Sequence, residues 1–233
     1  MAVKSGKGRL FPLLLVIMAV ALWAHDQTQS RGTTPKPPAP RTEAAPANRR
    51  SATADAPQKA GGYEVFRGCT LVATRNNDGD SFLVKFPDGR RSIVRLYFVD
   101  APESAFKSYR GGDTNHARIA DQAADLGGIT SRQAVEIGKQ AKQFTLGLLA
   151  AAPFDIFTRW DSPFRDRRYH AFVQVKVGGK PRWLHELLVE KGLARIHTKG
   201  AALPDGTSYQ KQKTRLKGLE NTAKKNETGA WRL

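Results

Sequence analysis

Apolar and polar positions alternate with a period of two in several short stretches after residue 62, and this pattern predicts five strands. Tyr63 to Thr74 reads as the first, and Asn76-Asn77-Asp78-Gly79 makes a tight turn. Ser81 to Phe86 reads as the second, with Phe82, Val84 and Phe86 alternating against Leu83 and Lys85. After the turn Pro87-Asp88-Gly89, a third strand is expected from about Arg91 to Val99, apolar on both faces except for Arg95. Phe154 to Trp160 reads as a fourth. His170 to Val177 reads as a fifth, with Ala171, Val173, Val175 and Val177 on one face.

The period changes to 3.6 in three places. Thr130-Ser131-Arg132-Gln133 is a capping-box signal, and Ala134, Ile137, Ala141, Phe144 and Leu148 then recur at helical spacing until Pro153. Trp183 to Lys191 reads as a second helix ended by Gly192, and Thr207-Ser208-Tyr209-Gln210 opens a third that runs to about Lys225. Residues 104–129 show no clear periodicity and read as a surface insertion. Asp113, His116, Asp121 and Asp125 within it have no metal-ligand spacing, so a solvated loop or short helix is the plainer reading. Together the elements predict an α+β domain: a small, partly open five-stranded β-barrel of the OB type with three packed helices, an architecture that commonly binds oligonucleotides on one face. No internal repeat is visible, so residues 63–233 are expected to form one domain.

The chain before it is different. Lys4, Lys7 and Arg9 precede an apolar run of 15 residues from Leu10 to Ala24. A basic start and a run below the roughly 20 residues of a membrane-spanning helix are features of a secretory signal. Residues 1–24 are therefore expected to be a signal peptide cleaved after Ala21 or Ala24, or else a short membrane anchor. The domain would be exported: secreted, periplasmic or tethered outside the cytoplasm. From His25 to Gly62 there is no Val, Ile, Leu, Met, Phe, Tyr or Trp, and six of the 13 prolines fall here. That composition cannot build a core and predicts a disordered tether.

Charge narrows the partners. The chain carries a net +17; three of these charges fall on residues 1–24 and a net three on 25–62, which leaves +11 on the domain. Such a field favours polyanions, nucleic acid first and anionic lipid or wall polymer second. Cys69 is the only cysteine, so no internal disulfide is available and the core must supply the stability. Its apolar surroundings predict a buried structural thiol.

The candidate chemistry lies between Asp78 and Glu103. Asp78-Gly79-Asp80-Ser81 and the later Arg95-Leu96-Tyr97-Phe98-Val99-Asp100-Ala101-Pro102-Glu103 bring carboxylates and an arginine from two adjacent strands. Acids so placed can hold a hard divalent cation and leave one for proton transfer, while an arginine supplies charge for a phosphate. An arginine inside an apolar strand needs a partner in any case, and an ion pair is its simplest structural role.

These motifs resemble the staphylococcal (thermo)nuclease family. The resemblance extends through Gly138-x-x-Ala141-x-x-Phe144-Thr145, Leu184-x-Glu186-x-Leu188-Val189-x-x-Gly192-Leu193-Ala194-Arg195, Leu216-x-x-Leu219-Glu220-x-x-Ala223-Lys224 and Gly229-x-Trp231. It implies a calcium-dependent endonuclease, acting as a monomer on single-stranded DNA and RNA with low sequence specificity. By the same resemblance Asp80 and Asp100 would bind Ca2+ together with the main-chain carbonyl of Ala101, where the family often has threonine. Asp78 would be an outer acid or bind through water. Glu103 would be the general base, and Arg95 and Arg168 the two arginines on the phosphate. The family's Asp-x-Tyr-Gly-Arg before the fifth strand is replaced here by Phe164-Arg165-Asp166-Arg167-Arg168. Arg167 therefore remains an alternative to Arg168, and Arg165 a further phosphate contact. His197-Thr198-Lys199-Gly200 stands where the family can present tyrosines for base stacking.

Two other readings compete. The domain could hold nucleic acid or protein without cleaving it, or it could be a basic surface protein that binds lipid or wall polymer. The second explains the charge but not the acids.

Overall fold

The computed structural model describes residues 58–163 and 166–233. The signal-type segment and the linker as far as residue 57 lie outside the described residues, as do Phe164 and Arg165. The described residues form nine strands: β1 (Gln58–Ala60), β2 (Tyr63–Leu71), β3 (Ser81–Lys85), β4 (Arg91–Leu96), β5 (Val99–Asp100), β6 (Phe154–Thr158), β7 (Arg168–Val177), β8 (Lys180–Trp183) and β9 (Arg195–Ile196). The helices are α1 (His116–Asp125), α2 (Ser131–Ala151), α3 (Leu184–Glu190) and α4 (Tyr209–Lys225), with a 3-10 turn at Gly229–Arg232.

Strands β2, β3, β4, β7 and β6 pair in that order, and β6 pairs back onto β2, so the five strands close on themselves. The barrel is closed rather than partly open. All pairings in it are antiparallel except β4 with β7. The alternation read in the second strand holds: Phe82, Val84 and Phe86 point inward with Tyr63, Leu96 and Phe172. Each side chain so buried contributes about 1.5–3 kcal/mol. In β7 the one-face reading is incomplete, because His170 and Phe172 are buried as well and Val177 is exposed.

Three differences from the expected elements have physical causes. Gln58–Ala60, assigned by composition to the linker, pairs antiparallel with β2, since an edge needs backbone donors and acceptors rather than apolar side chains. The third strand does not run through to Val99. Phe98 takes a positive φ of 69°, and its N–H and C=O are engaged by Lys199 and His197, so the chain turns and Val99–Asp100 pairs instead with β9. The ring of Phe98 stacks between His185 and Tyr209, which holds this otherwise unfavourable conformation.

The third difference is a fourth helix. The stretch 104–129 contains α1, whose buried residues Ile119, Gln122 and Ala123 lie on one face, followed by buried Leu126. It packs on α2. The capping box at Thr130 and Gln133 is formed as expected. Among the described residues no helix is long and apolar enough to cross a membrane. Cys69 is fully buried and unpaired, and burial pushes its thiol up to about 12.

Candidate active site

The Asp78–Ser81 turn is shaped by its own side chains. Asn77 is buried, accepts the Leu83 N–H and donates to the Val72 carbonyl, while Asp78 accepts the Gly79 N–H. Helix α2 supports the turn from behind. Thr145 Oγ1 donates to the Gly79 carbonyl at 2.8 Å, and a Cβ on Gly79 would lie 2.8–2.9 Å from the Cβ atoms of Ala101 and Ala141. Gly138 has the same cause: a Cβ there would lie 2.5 Å from the carbonyl oxygens of Pro102 and Glu103. The glycine and alanine of the α2 motif are therefore clearances that let the helix press on both acid-bearing segments.

Ser81 pairs with Arg95 across β3 and β4, which puts Asp80 beside Arg95. Arg95 is buried, and its Nη2 donates to Asp100 Oδ1 at 2.7 Å and to Asp80 Oδ2 at 3.2 Å. Thus the ion-pair role of the strand arginine is fulfilled by two acids at once. Asp80 also accepts the Ala101 N–H at 3.1 Å.

The two acids titrate in opposite directions. Burial pushes Asp80 up to about 6; the neighbouring Asp100 and Asp78 add to this and Arg95 opposes it. Burial acts on Asp100 in the same sense, but Arg118, the Gln122 amide, Arg95 and Arg195 outweigh it and hold that carboxyl below the usual range. Burial raises Asp78 as well.

Arg168 opens β7. In the parallel β4–β7 ladder Ile93 pairs with Arg168 and Arg95 with His170. Residues two apart share a face, so Arg95 and Arg168 stand on the same face of neighbouring strands, whereas Arg167 precedes β7 with a positive φ of 60°. Both line a cleft of about 330 Å³ together with Asp100, Arg118 and the segment His197-Thr198-Lys199. The Arg168 guanidinium is paired to exposed Asp166. Arg165 lies outside the described residues.

Glu103 sits at the rim. Its N–H donates to Gln122 Oε1 at 3.0 Å, and its carboxylate accepts from Lys107 Nζ at 3.0 Å and from Arg118 Nε at 3.1 Å. Three partners here were not singled out from the sequence. Arg118 and Gln122 come from α1, and the recurrence of Ile119, Ala123 and Leu126 at helical spacing was the available signal for that helix. Arg195 is the last residue of Gly192-Leu193-Ala194-Arg195 and donates to Asp100 Oδ2 at 2.9 Å and to Asp125 at 2.8 Å. Of the four insertion residues considered as metal ligands, Asp125 is taken by Arg195, and among the described residues no group of three acids, histidines or cysteines is placed to hold a metal. His197 borders the cleft, whereas His185 is a fully buried core residue that burial pulls down to about 4.

With the geometry in view, the comparison with known families is decisive: residues 93–233 match the staphylococcal nuclease homologue family. The chain belongs to that family. The match spans α1 to the C-terminal 3-10 turn together with Arg95, Asp100, Glu103 and Arg168, and it begins after the Asp78-Gly79-Asp80 turn. No curated protein matches the chain.

The family resemblance implies calcium, and the donor types are right for a hard cation: two carboxylates and a main-chain carbonyl. The lone pairs of Asp100 and Ala101 are not open, and Asp80 keeps only Oδ1 free. Asp100 Oδ1 accepts from Arg95 and Arg118, Asp100 Oδ2 from Gln122 and Arg195, and the Ala101 carbonyl from Gln122. In this arrangement the three residues do not fit a calcium ion.

Proposed function

We propose that the domain is a nuclease that hydrolyses phosphodiester bonds in single-stranded DNA and RNA with little sequence preference. The observation that carries this reading is the placement of Arg95 and Arg168 on one face of paired strands, lining one cleft with Asp100 and with Glu103 nearby. Two arginines lining a cleft suit the non-bridging oxygens of a phosphodiester and the charge that gathers on them during attack. Glu103 is the general base: it takes a proton from water, the resulting hydroxide attacks phosphorus in line, and the leaving oxygen takes up a proton as its bond breaks. The net +11 of the domain draws a polyanion to the surface without reading bases. His197, Thr198 and Lys199 offer polar contacts where stacking tyrosines would give a base preference, in keeping with low specificity.

Export is part of the same proposal. It is supported by the basic start and 15-residue apolar run of residues 1–24 and by the tether-like composition that follows. Monomeric action is proposed from the family resemblance alone.

The deciding experiment is hydrolysis of a single-stranded DNA oligonucleotide by the wild type and Glu103→Gln, with calcium, magnesium or EDTA. Cleavage that falls at least 100-fold in Glu103→Gln supports the reading. Salt-sensitive retention of the oligonucleotide without turnover would make the domain a binding module instead.

A further inference from the structure

Asp100 is the most heavily paired acid in the domain. Its Oδ1 lies 2.7 Å from both Arg95 Nη2 and Arg118 Nη2, and its Oδ2 lies 2.9 Å from Gln122 Nε2 and 2.9 Å from Arg195 Nε. A carboxylate offers about four lone-pair positions, and all are used. Four of the acids are also met by four cations: Asp80, Asp100, Glu103 and Asp125 by Arg95, Lys107, Arg118 and Arg195.

These cations differ in how they are held. Arg95 and Arg195 are buried and lie on strands, so their guanidinium groups are enclosed beside Asp100. Arg118 has a side chain 43% exposed and reaches in from α1. Its backbone is nonetheless fixed, because Ile119 and Gln122 beside it are fully buried. From there its guanidinium bridges Asp100 Oδ1 and Glu103 Oε1, the kind of bridge between acids that a divalent cation would make. Calcium needs about six to eight oxygen ligands at about 2.3–2.6 Å, and a bound guanidinium cannot share those positions.

We propose that Arg118 takes the place of a divalent cation between Asp100 and Glu103, so that the chain neutralises its own acid cluster and excludes calcium from it. Gln122 completes the exclusion by occupying Asp100 Oδ2 and the Ala101 carbonyl. The inference rests on reading this cleft as the hydrolytic site, and it departs from that reading in assigning the counter-charge to a side chain of the inserted helix.

The test is calorimetric titration of calcium chloride into the full chain, comparing wild type with Arg118→Met, with folding of each checked by circular dichroism. The expected result is calcium affinity at least tenfold higher in Arg118→Met than in the wild type. Equal affinity in the two proteins, or binding in neither, overturns the proposal. Arg118→Lys serves where the methionine variant does not fold. A lysine keeps one charge but lacks the fork that reaches both acids, so its calcium affinity is expected to rise above wild type, and no rise overturns the proposal. Hydrolysis of single-stranded DNA, with calcium and with EDTA, is measured on the same samples. Tighter calcium binding in the variant without hydrolysis by any sample would keep Arg118 as the group that holds calcium off these acids and remove the nuclease reading. Hydrolysis with unchanged calcium affinity would do the reverse.

Discussion

Asp100 and Arg195 stand opposite one another in the two-stranded β5–β9 ladder, and the Arg195 guanidinium donates to Asp100 Oδ2 at 2.9 Å with both side chains buried. The pair ties the site to the chain that follows α3. Removing Asp100 would leave Arg95 paired with Asp80 alone and Arg195 with the exposed Asp125 alone. Asp100→Leu is therefore expected to destabilise the domain by about 1.5–3 kcal/mol, measured by urea unfolding. A loss below about 1 kcal/mol would show that these arginines reach water when the acid is gone.

Arg168 should behave in the opposite way. Its partner Asp166 is on the surface, and an exposed pair contributes about 0–1 kcal/mol. Arg168→Met is expected to leave the unfolding midpoint nearly unchanged while lowering kcat by about 100- to 1,000-fold. Arg167→Met, outside the lining of the cleft, should retain most activity. Steady-state kinetics on a single-stranded oligonucleotide would compare them, and equal losses in the two would undo the assignment.

Two glycines of α2 separate the helix's packing role from its propensity. At Gly147 a Cβ would meet nothing within 4 Å, so Gly147→Ala should stabilise the domain by about 0.5–1 kcal/mol. At Gly138 the added carbon would run into the backbone of Pro102 and Glu103, and the helix or the Glu103 segment must move. Gly138→Ala should both lower the melting temperature and cut activity, whereas a gain in melting temperature at Gly138 would contradict the packing.

His185 supplies a pH dependence away from the site. Burial, opposed by Glu186 and reinforced by Arg215, holds its folded pKa at about 4, whereas the unfolded chain protonates near 6.5. The unfolded state then binds more protons between these values, so this contribution is full above about pH 6.5 and is lost as pH falls towards 4, by roughly 3 kcal/mol. Asp80, raised to about 6, has the opposite sign over part of that window. The stability difference between wild type and His185→Gln isolates the histidine. It should shrink steadily from pH 7 to pH 4 in thermal melts, and a constant difference would mean that His185 does not titrate as described.

Much of the fold was legible because its signals are local. The inward Phe82, Val84 and Phe86 and the capping box at Thr130 depend on neighbours within a few residues, while the tight turn expected at Asn76–Gly79 forms instead at Thr74–Asn77, after a strand that ends at Leu71. For a related reason the sequence leaves α1 open between a solvated loop and a short helix. Its buried face includes the polar Gln122, fully buried because the amide serves Asp100, Ala101 and Glu103 rather than because it is apolar. Hydrophobic periodicity registers Ile119, Ala123 and Leu126 on this face but not the glutamine between them. The end of β4 was also misplaced, since the turn at Phe98 is held by His185, Tyr209, His197 and Lys199, all at least 87 positions further along the chain.

By itself the sequence determined the kinds of element, the basic charge of the domain and the acids and arginine placed between Asp78 and Glu103, because periodicity, turn chemistry and composition act over short spans of chain. Tertiary structure alone decided that the barrel closes, that Arg168 shares a face with Arg95, and that Arg118, Gln122 and Arg195 converge on Asp100. Strand register and the pairing of buried charges join residues tens of positions apart, and each group's partner is selected by where the packed backbone delivers it.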